Sequence, residues 1–236
     1  MKTRTMLSGI LVLGVLLFTF GCRQGTEKGD VSIKEPIEWS HTWIPATDKH
    51  DLPRVLLIGD SHVERYYPLV ARQLQGLAYC AKLTTSKSLG DPILPDEIGL
   101  ILKQYDFDII AFNNGLHGKG YTEEQYGKYI PLIFDLFKRQ SKAKVIWVNT
   151  TPVRKRGNLA EFDDFTGRVR KRNRLVEKYA TEHGIPIVDL FSLGQQHEEY
   201  YTGDGVHFNP DGVAAEADRV AGKIKELLPE SRTKSD

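Results

Sequence analysis

Three polar residues that lie far apart in the chain have the types needed for nucleophilic catalysis. Ser61 follows a short apolar run and precedes a segment of helical periodicity, so its hydroxyl is predicted to lie at the start of a helix. Backbone N–H groups at that position can stabilise a negative charge. Near the other end of the chain, Asp204 stands three residues before His207, where its carboxylate can accept a hydrogen bond from the imidazole. An imidazole held in this way can take the proton of a serine hydroxyl.

Short apolar runs alternate with longer segments of helical periodicity around these residues. Each run is flanked by charged or turn residues and is typical of a strand buried on both faces. The runs are residues 55–58, 79–83, 108–112, 145–148 and 185–188. Thr122 with Gln125 forms a capping-box pattern, and Asn209 followed by Pro210 predicts the start of the last helix. The alternation predicts a parallel sheet of five strands with helices on both faces, whose functional residues gather at the carboxyl ends of the strands.

The composition is that of one globular domain with a packed core. The chain has 236 residues, of which 40% are hydrophobic and 27% charged, and its formal net charge is +1. This charge balance argues against a nucleic-acid-binding protein. The two cysteines, Cys22 and Cys80, form neither a disulfide framework nor a zinc site. Cys80 lies in an apolar run and is expected to be a buried, unreactive thiol.

The first residues have the features of an export signal. A basic start precedes an apolar run over residues 6–20 that ends at Gly21 and Cys22. A small residue directly before a lone cysteine resembles the processing site of bacterial lipoproteins, although the two residues before Gly21 depart from that pattern. The resemblance implies a lipid on Cys22 that anchors the protein to a membrane, in the periplasm or at the cell surface. Ordinary signal cleavage, which would give a periplasmic or secreted protein, and a retained anchor are the alternatives.

These features divide the chain into five parts. They are a signal peptide (1–21), a polar tether (22–38), an irregular strap packed on the domain (39–53), the α/β domain (54–228) and a polar tail (229–236).

Two sequence blocks resemble those of a known family. Gly59/Asp60/Ser61 and the block from Asp204 to His207 are similar to the first and last blocks of the SGNH hydrolases, also called the GDSL esterase/lipase superfamily. The resemblance covers about residues 54–228. It implies a flavodoxin-like three-layer α/β/α sandwich with a five-stranded parallel sheet, and a serine esterase that needs no metal or other cofactor. In this family Ser61 would be the nucleophile, His207 the general base and acid, and Asp204 the carboxylate that orients the imidazole.

The resemblance also implies an oxyanion hole. Its donors would be the backbone of Ser61, the backbone of Gly90 and a side chain after the third strand. The family usually has Asn at that last position, whereas this chain has His117, and an imidazole can also donate a hydrogen bond. An amide from Asn114 or Asn113 is the alternative donor. For Gly90 the alternative is an ordinary turn glycine.

Further residues near these blocks are candidate substrate contacts. They are Asp60, His62, Tyr66, Asn113 and Arg154. Tyr66 could stack on a sugar ring and Arg154, in a basic loop, could bind an acidic glycan; core packing and a solvated loop are the simpler alternatives. His62 is expected to face away from the acyl group.

Short polar loops favour a small acyl group, such as acetyl, on a hydrophilic alcohol. Because many exported SGNH hydrolases deacetylate polysaccharides, the resemblance implies a small-molecule or polysaccharide ester as the substrate. A lysophospholipase, thioesterase or arylesterase of the same fold is an alternative, and so is a lipid-tethered glycan-binding protein without catalysis. The Asp60/Ser61/His62 triplet also fits a metallophosphoesterase, but the other ligand blocks of that class are missing. The sequence leaves the oligomeric state open.

Overall fold

Residues 31–229 are described by the structure, a computed structural model, as one α/β domain. The strands are β1 (Ser40–Trp43), β2 (Arg54–Gly59), β3 (Tyr79–Thr85), β4 (Ile109–Asn113), β5 (Lys144–Val148), β6 (Arg154–Lys155), β7 (Asn158–Phe162) and β8 (Ile187–Val188). The helices are α1 (Ser61–Gln73), α2 (Leu94–Leu102), α3 (Glu123–Gln140), α4 (Phe165–Glu182), α5 (Leu190–Gln196) and α6 (Pro210–Leu227), with a 3-10 turn at Glu198–Tyr200.

The main sheet has six strands in the order β1-β3-β2-β4-β5-β8. All strands of this sheet except β1 run parallel, and β6 and β7 form a separate antiparallel ribbon. Each of the five predicted apolar runs contributes to a strand, which confirms the α/β fold class. From β2 the chain passes to β3 on one side and then to β4 on the other. The carboxyl end of β2 therefore lies at a topological switch point, where ligands bind in folds of this kind.

The strap contains a strand that the sequence did not predict. Ser40–Trp43 pairs antiparallel with β3, so that Ser40 lies opposite Thr85 and Trp43 opposite Lys82. This strand has no apolar alternation, since all its residues are exposed. Backbone hydrogen bonds to the edge of β3 hold this strand in place. A hydropathy pattern does not reveal such bonds. The five-stranded parallel sheet of the prediction is thus a mixed sheet of six strands.

Alternate residues of β2 face two separate hydrophobic clusters. Val55 and Leu57 pack with α1, α5 and α6, whereas Leu56 and Ile58 pack with α2 and α3 on the opposite face. All four side chains are fully buried, and each such burial contributes about 1.5–3 kcal/mol. This two-sided packing fixes the strand whose end carries Ser61.

The predicted helix starts are confirmed. Thr122 and Gln125 form a reciprocal capping box at α3, and Asn209 caps α6 with Pro210 at its first position. Of the helices within residues 31–229, none is both long and apolar enough to cross a membrane.

The second half of the predicted tether packs on the domain. We call residues 31–38 the N-terminal segment. The Ser32 hydroxyl donates to Asp91 over 2.8 Å, and the Lys87 ammonium donates to Glu38 over 2.8 Å. The predicted tether therefore does not continue as a free linker to residue 38, because polar side chains of this segment find partners in the fold. The predicted signal peptide, Cys22 and residues 230–236 lie outside the described residues.

Candidate active site

A continuous chain of hydrogen bonds joins Ser61, His207 and Asp204. Ser61 is the first residue of α1, directly beyond the carboxyl end of β2, and His207 lies in the loop before α6. Ser61 Oγ is 2.9 Å from His207 Nε2, and His207 Nδ1 is 2.7 Å from Asp204 Oδ2. Because the carboxylate accepts the proton on Nδ1, Nε2 is left to accept the serine proton. The geometry suits a nucleophile, a general base and an orienting carboxylate.

The loop around Asp204 keeps this carboxylate charged. Asp204 Oδ1 accepts the backbone N–H groups of Val206 and His207 and the hydroxyl of Thr202. Partial burial raises the pKa of Asp204, but these hydrogen bonds and the one from the His207 ring outweigh it and hold the pKa well below its usual range. The carboxylate can therefore stabilise an imidazolium at His207 when the proton of Ser61 arrives.

Two glycines allow the backbone turns that bring these residues together. A Cβ on Gly59 would lie 2.3 Å from Val63 Cγ2, so the first turn of α1 packs on the end of β2 where a side chain at residue 59 would lie. Gly205 has a φ of +74°, and a Cβ there would lie 2.1 Å from the carbonyl oxygen of Arg154. Its own carbonyl accepts the Arg154 N–H over 2.7 Å. The loop that carries His207 is thereby fixed to the chain segment after β5.

His62 lies next to the triad but is buried away from the cleft. Its Nδ1 is 2.7 Å from Glu216 Oε1 on α6, and its Nε2 is 3.0 Å from the carbonyl oxygen of Val206. The His62 ring is stacked on that of His207 at a centroid distance of 5.8 Å. The residue after the nucleophile thus links α1, α6 and the loop of the general base.

His117, in the loop after β4, lines the same cleft as Ser61 and His207. Glu35 of the N-terminal segment holds it: His117 Nδ1 is 2.7 Å from Glu35 Oε2, and the Gly118 N–H donates to Glu35 Oε1 over 2.6 Å. Burial lowers the pKa of His117, but the hydrogen bond to Glu35 and the nearby Asp60 carboxylate raise it above its ordinary value. Since Glu35 occupies Nδ1, Nε2 is the nitrogen available to the cleft.

The triad opens on a cleft of about 400 Å³ that contains both imidazoles. The cleft is lined by Lys34, Glu35, Pro36, Ser61, Leu116, His117, Lys119, Val153, Phe165, Val206 and His207. Among residues 31–229, no group of three or more His, Cys, Asp or Glu side chains is arranged to hold a metal ion.

No protein-family profile matches this sequence, and neither does any curated protein. Solved structures match it well. A GDSL-like lipase from Bacteroides thetaiotaomicron is 19% identical, with a TM-score of 0.57 over 75% of this chain and 89% of its own. A carbohydrate esterase of family 3 from Talaromyces cellulolyticus is 17% identical, with a TM-score of 0.60 over 75% and 98%. An acetyl xylan esterase is also 17% identical, with a TM-score of 0.57 over 72% and 99%.

The chain has the SGNH hydrolase fold. The two sequence blocks that carried the resemblance meet in this fold at the carboxyl edge of the sheet, one at the start of α1 and one before α6. The structure thus brings together the three residues that were predicted to form the triad.

Of the predicted oxyanion donors, Ser61 and His117 line the cleft, whereas Gly90 and Asn114 do not. Ser61 begins α1, so its backbone N–H is one of the unsatisfied amides of a helix N-terminus. His117 lines the cleft, whereas Gly90 does not. Gly90 packs on Tyr121, whose Cγ would lie 3.0 Å from a Cβ. The Asn114 amide donates to the Lys87 carbonyl over 2.9 Å. Within the SGNH fold of this chain, Gly90 and Asn114 therefore support the loops behind the site and do not form its wall.

The candidate substrate contacts are wrong, because all of them are buried. Asp60, His62, Tyr66, Asn113 and Arg154 are each at most 4% exposed. Asp60 caps α1 by accepting the His62 N–H, and the Asn113 amide donates to the Val148 carbonyl. The Arg154 guanidinium donates to the carbonyls of residues 159, 194 and 195. Polar and aromatic types near a motif do not reveal on which side of the backbone a side chain packs.

The sequence missed most of the cleft wall. Lys34 and Glu35 come from the N-terminal segment, which was predicted to be a tether, and Phe165 begins α4. A tether and a packed segment of the same polar composition look alike in the sequence, so no signal marked Glu35.

Proposed function

We propose that this protein is an exported carboxylic ester hydrolase that removes small acyl groups, above all acetyl, from carbohydrate. The observation that carries the proposal is the hydrogen-bond chain from Ser61 through His207 to Asp204, which opens on a cleft beside His117. A hydroxyl, a base and an orienting carboxylate in this order are the groups that acyl transfer requires.

The reaction follows from this geometry. Ser61 Oγ attacks the ester carbonyl carbon as His207 Nε2 takes its proton, and the carbonyl oxygen becomes an oxyanion. His207 then returns the proton to the alcohol, which leaves an acyl group on Ser61. Water, deprotonated by His207, then attacks the acyl carbon. The bond from that carbon to Ser61 Oγ breaks, His207 gives its proton to Oγ, and the acid is released. Through both steps Asp204 stabilises the imidazolium.

In this proposal the oxyanion is stabilised by two hydrogen-bond donors. One is the Ser61 backbone N–H at the start of α1, and the other is Nε2 of a protonated His117. Each such donor contributes about 10²- to 10³-fold to the rate. The imidazole of His117 takes the role that an asparagine amide has in most of the superfamily.

Two observations support a small acyl group on a hydrophilic alcohol. Charged side chains, Lys34, Glu35 and Lys119, lie in the cleft wall beside the nucleophile. The structural neighbours include an acetyl xylan esterase and a carbohydrate esterase. A lysophospholipase, thioesterase or arylesterase would use the same triad, and these activities are the alternatives.

The proposed location rests on the leader. A basic start, an apolar run over residues 6–20 and the Gly21/Cys22 pair favour export and a lipid on Cys22. The domain would then act on its substrate at the membrane surface.

Substitution of the nucleophile tests the proposed activity. We expect Ser61→Ala to lower the turnover of p-nitrophenyl acetate by at least about 10³-fold, because the acyl-enzyme can no longer form. The matched control is Ser141→Ala, at the end of α3, whose hydroxyl accepts the Ala143 N–H and does not line the cleft. A fluorophosphonate probe should label the wild type and the control but not Ser61→Ala. A wild type that binds acetylated glycan without being labelled would indicate a binding protein instead.

A further inference from the structure

Glu35 connects the N-terminal segment to the wall of the site. It has both carboxylate oxygens engaged with the loop after β4, one with the His117 ring and one with the Gly118 N–H. Arg172 on α4 holds the other side of the same loop by donating to the carbonyls of Gly115, His117 and Gly118. The His117 ring is thus fixed through its own backbone and through its Nδ1.

The charge around His117 favours a ring with two protons. The charged groups that face it come from four places: Glu35 of the N-terminal segment, Asp60 before α1, Lys119 of its own loop and Arg172 of α4. Burial and Lys119 lower the pKa of His117, and the two carboxylates raise it by more. Burial raises the pKa of Glu35 itself, but its bonds to His117 and Gly118 hold that pKa below the ordinary value. Glu35 is therefore held in its anionic form, and its charge favours the protonated form of the ring that it faces.

A proton on Nε2 decides whether His117 can stabilise an oxyanion. With Nδ1–H donated to Glu35, a neutral ring presents a lone pair to the cleft at Nε2, which would repel the developing negative charge. Only the doubly protonated ring presents an N–H there. An asparagine amide has no such requirement, since it donates at every pH.

We infer that Glu35 is a positioning residue of the esterase reaction, which orients His117 and keeps a donor hydrogen on its Nε2 facing the oxyanion. This inference rests on the proposed function. It makes the N-terminal segment a part of the active site. It also implies that activity is lost as the pH rises and His117 gives up its proton.

The test compares Glu35→Gln with Glu38→Gln. Glu38 lies in the same segment, where it pairs with Lys87 and Lys34 and accepts the Glu35 N–H. None of these bonds involves His117, and a glutamine oxygen can still accept the Glu35 N–H. For Glu35→Gln we expect kcat to fall about 10- to 100-fold, with little change in KM, because the loss lies in the transition state. The alkaline limb of the kcat profile should move to lower pH, and NMR titration of the free protein should show the His117 ring losing its proton at lower pH. Glu38→Gln should keep the wild-type kcat, the wild-type alkaline limb and the wild-type titration of His117.

A second variant, His117→Asn, shows whether Glu35 acts through the proton of His117 or only supports the structure of the loop. In His117→Asn the donor needs no proton, so the alkaline limb assigned to His117 should disappear, and adding Glu35→Gln should lower kcat by much less than it does in the wild type.

The inference is overturned if Glu35→Gln retains the wild-type kcat and the wild-type titration of His117 while Ser61→Ala remains inactive. In that case the esterase proposal stands without Glu35. A wild type with no Ser61-dependent turnover would defeat the proposed function itself, and the NMR titration would still report whether Glu35 holds the proton of His117.

Discussion

At the scale of single residues, the pair of His62 and Glu216 stands out next to the nucleophile. Burial lowers the pKa of His62, but the Glu216 carboxylate outweighs it and raises the pKa to about 9. Burial also raises the pKa of Glu216. Both pKa values are raised, so the pair of His62 and Glu216 releases a proton at higher pH in the folded protein than the two groups do in the unfolded chain.

This pair predicts a fall in stability at alkaline pH. His62 has a higher pKa folded than unfolded, so its contribution is complete below about pH 6.5 and is lost as the pH rises through about 9. We expect the free energy of unfolding to decrease by on the order of 1–3 kcal/mol over that interval. Urea unfolding at several pH values measures it.

Glu216→Gln is the control for this prediction. Its amide oxygen can still accept from His62 Nδ1, but it carries no charge to hold the second proton. The variant should be less stable than the wild type at pH 6, and its stability should change less between pH 6.5 and 9. An equally steep decrease in this variant would assign the pH dependence to other groups.

At the scale of elements, the loop after β4 depends on a side chain from α4. Arg172 is fully buried, and it donates to the carbonyls of Gly115, His117 and Gly118. In the sequence this arginine is one of several basic residues close together, and nothing in their composition distinguishes it from Arg170 or Arg174. Its role follows from how α4 packs on the sheet.

Arg172→Met should therefore destabilise the protein and weaken the site. The substitution fills most of the space but leaves the carbonyls of Gly115 and His117 without their donor, while the Gly118 carbonyl keeps the Tyr121 N–H. We expect a cost of about 2–4 kcal/mol in the free energy of unfolding. The matched control is Arg174→Met on the same helix, where the side chain is exposed; there we expect a change within about 0.5 kcal/mol. Thermal unfolding of both variants gives the comparison, and equal melting temperatures would contradict the role of Arg172.

At the scale of the whole molecule, the cleft is assembled from distant parts of the chain. The N-terminal segment supplies Lys34 and Glu35, the start of α1 supplies Ser61, and the loops before α6 and after β4 supply the two imidazoles. The charged side chains of the N-terminal segment share this wall with apolar ones such as Leu116 and Phe165. The proposed short acyl group rests on the charged part of the wall.

A series of p-nitrophenyl esters from C2 to C12 tests this expectation. We expect kcat/KM to be about tenfold higher for acetyl than for octanoyl, since Lys34, Glu35 and Lys119 leave an octanoyl chain only part of an apolar wall, at residues such as Leu116 and Phe165. Acetate release from acetylated glycans would then identify the alcohol. A preference for C8 or longer would contradict deacetylation and favour a lipid substrate.

Short-range physics explains what could be predicted from the sequence. The apolar runs that became β2 to β5 and β8, the caps at Thr122 and Asn209, and the Asp204/His207 spacing each depend on residues close together in the chain. Parallel strands then bring their carboxyl ends to one edge of the sheet, so that Ser61 and His207 could be expected to meet.

Only the tertiary structure decided which side chains form the cleft. Tyr66 and Arg154 are buried in the domain. Gly90 and Asn114 support loops behind the site. Glu35 contacts His117 from a segment that was expected to be a tether. These outcomes depend on packing and on hydrogen bonds between residues far apart in the chain, about which local composition carries no information. The sequence alone was thus sufficient for the five parallel strands of the main sheet and for the expectation that Ser61, His207 and Asp204 lie together, whereas β1, the ribbon of β6 and β7 and the partner of His117 required the folded chain.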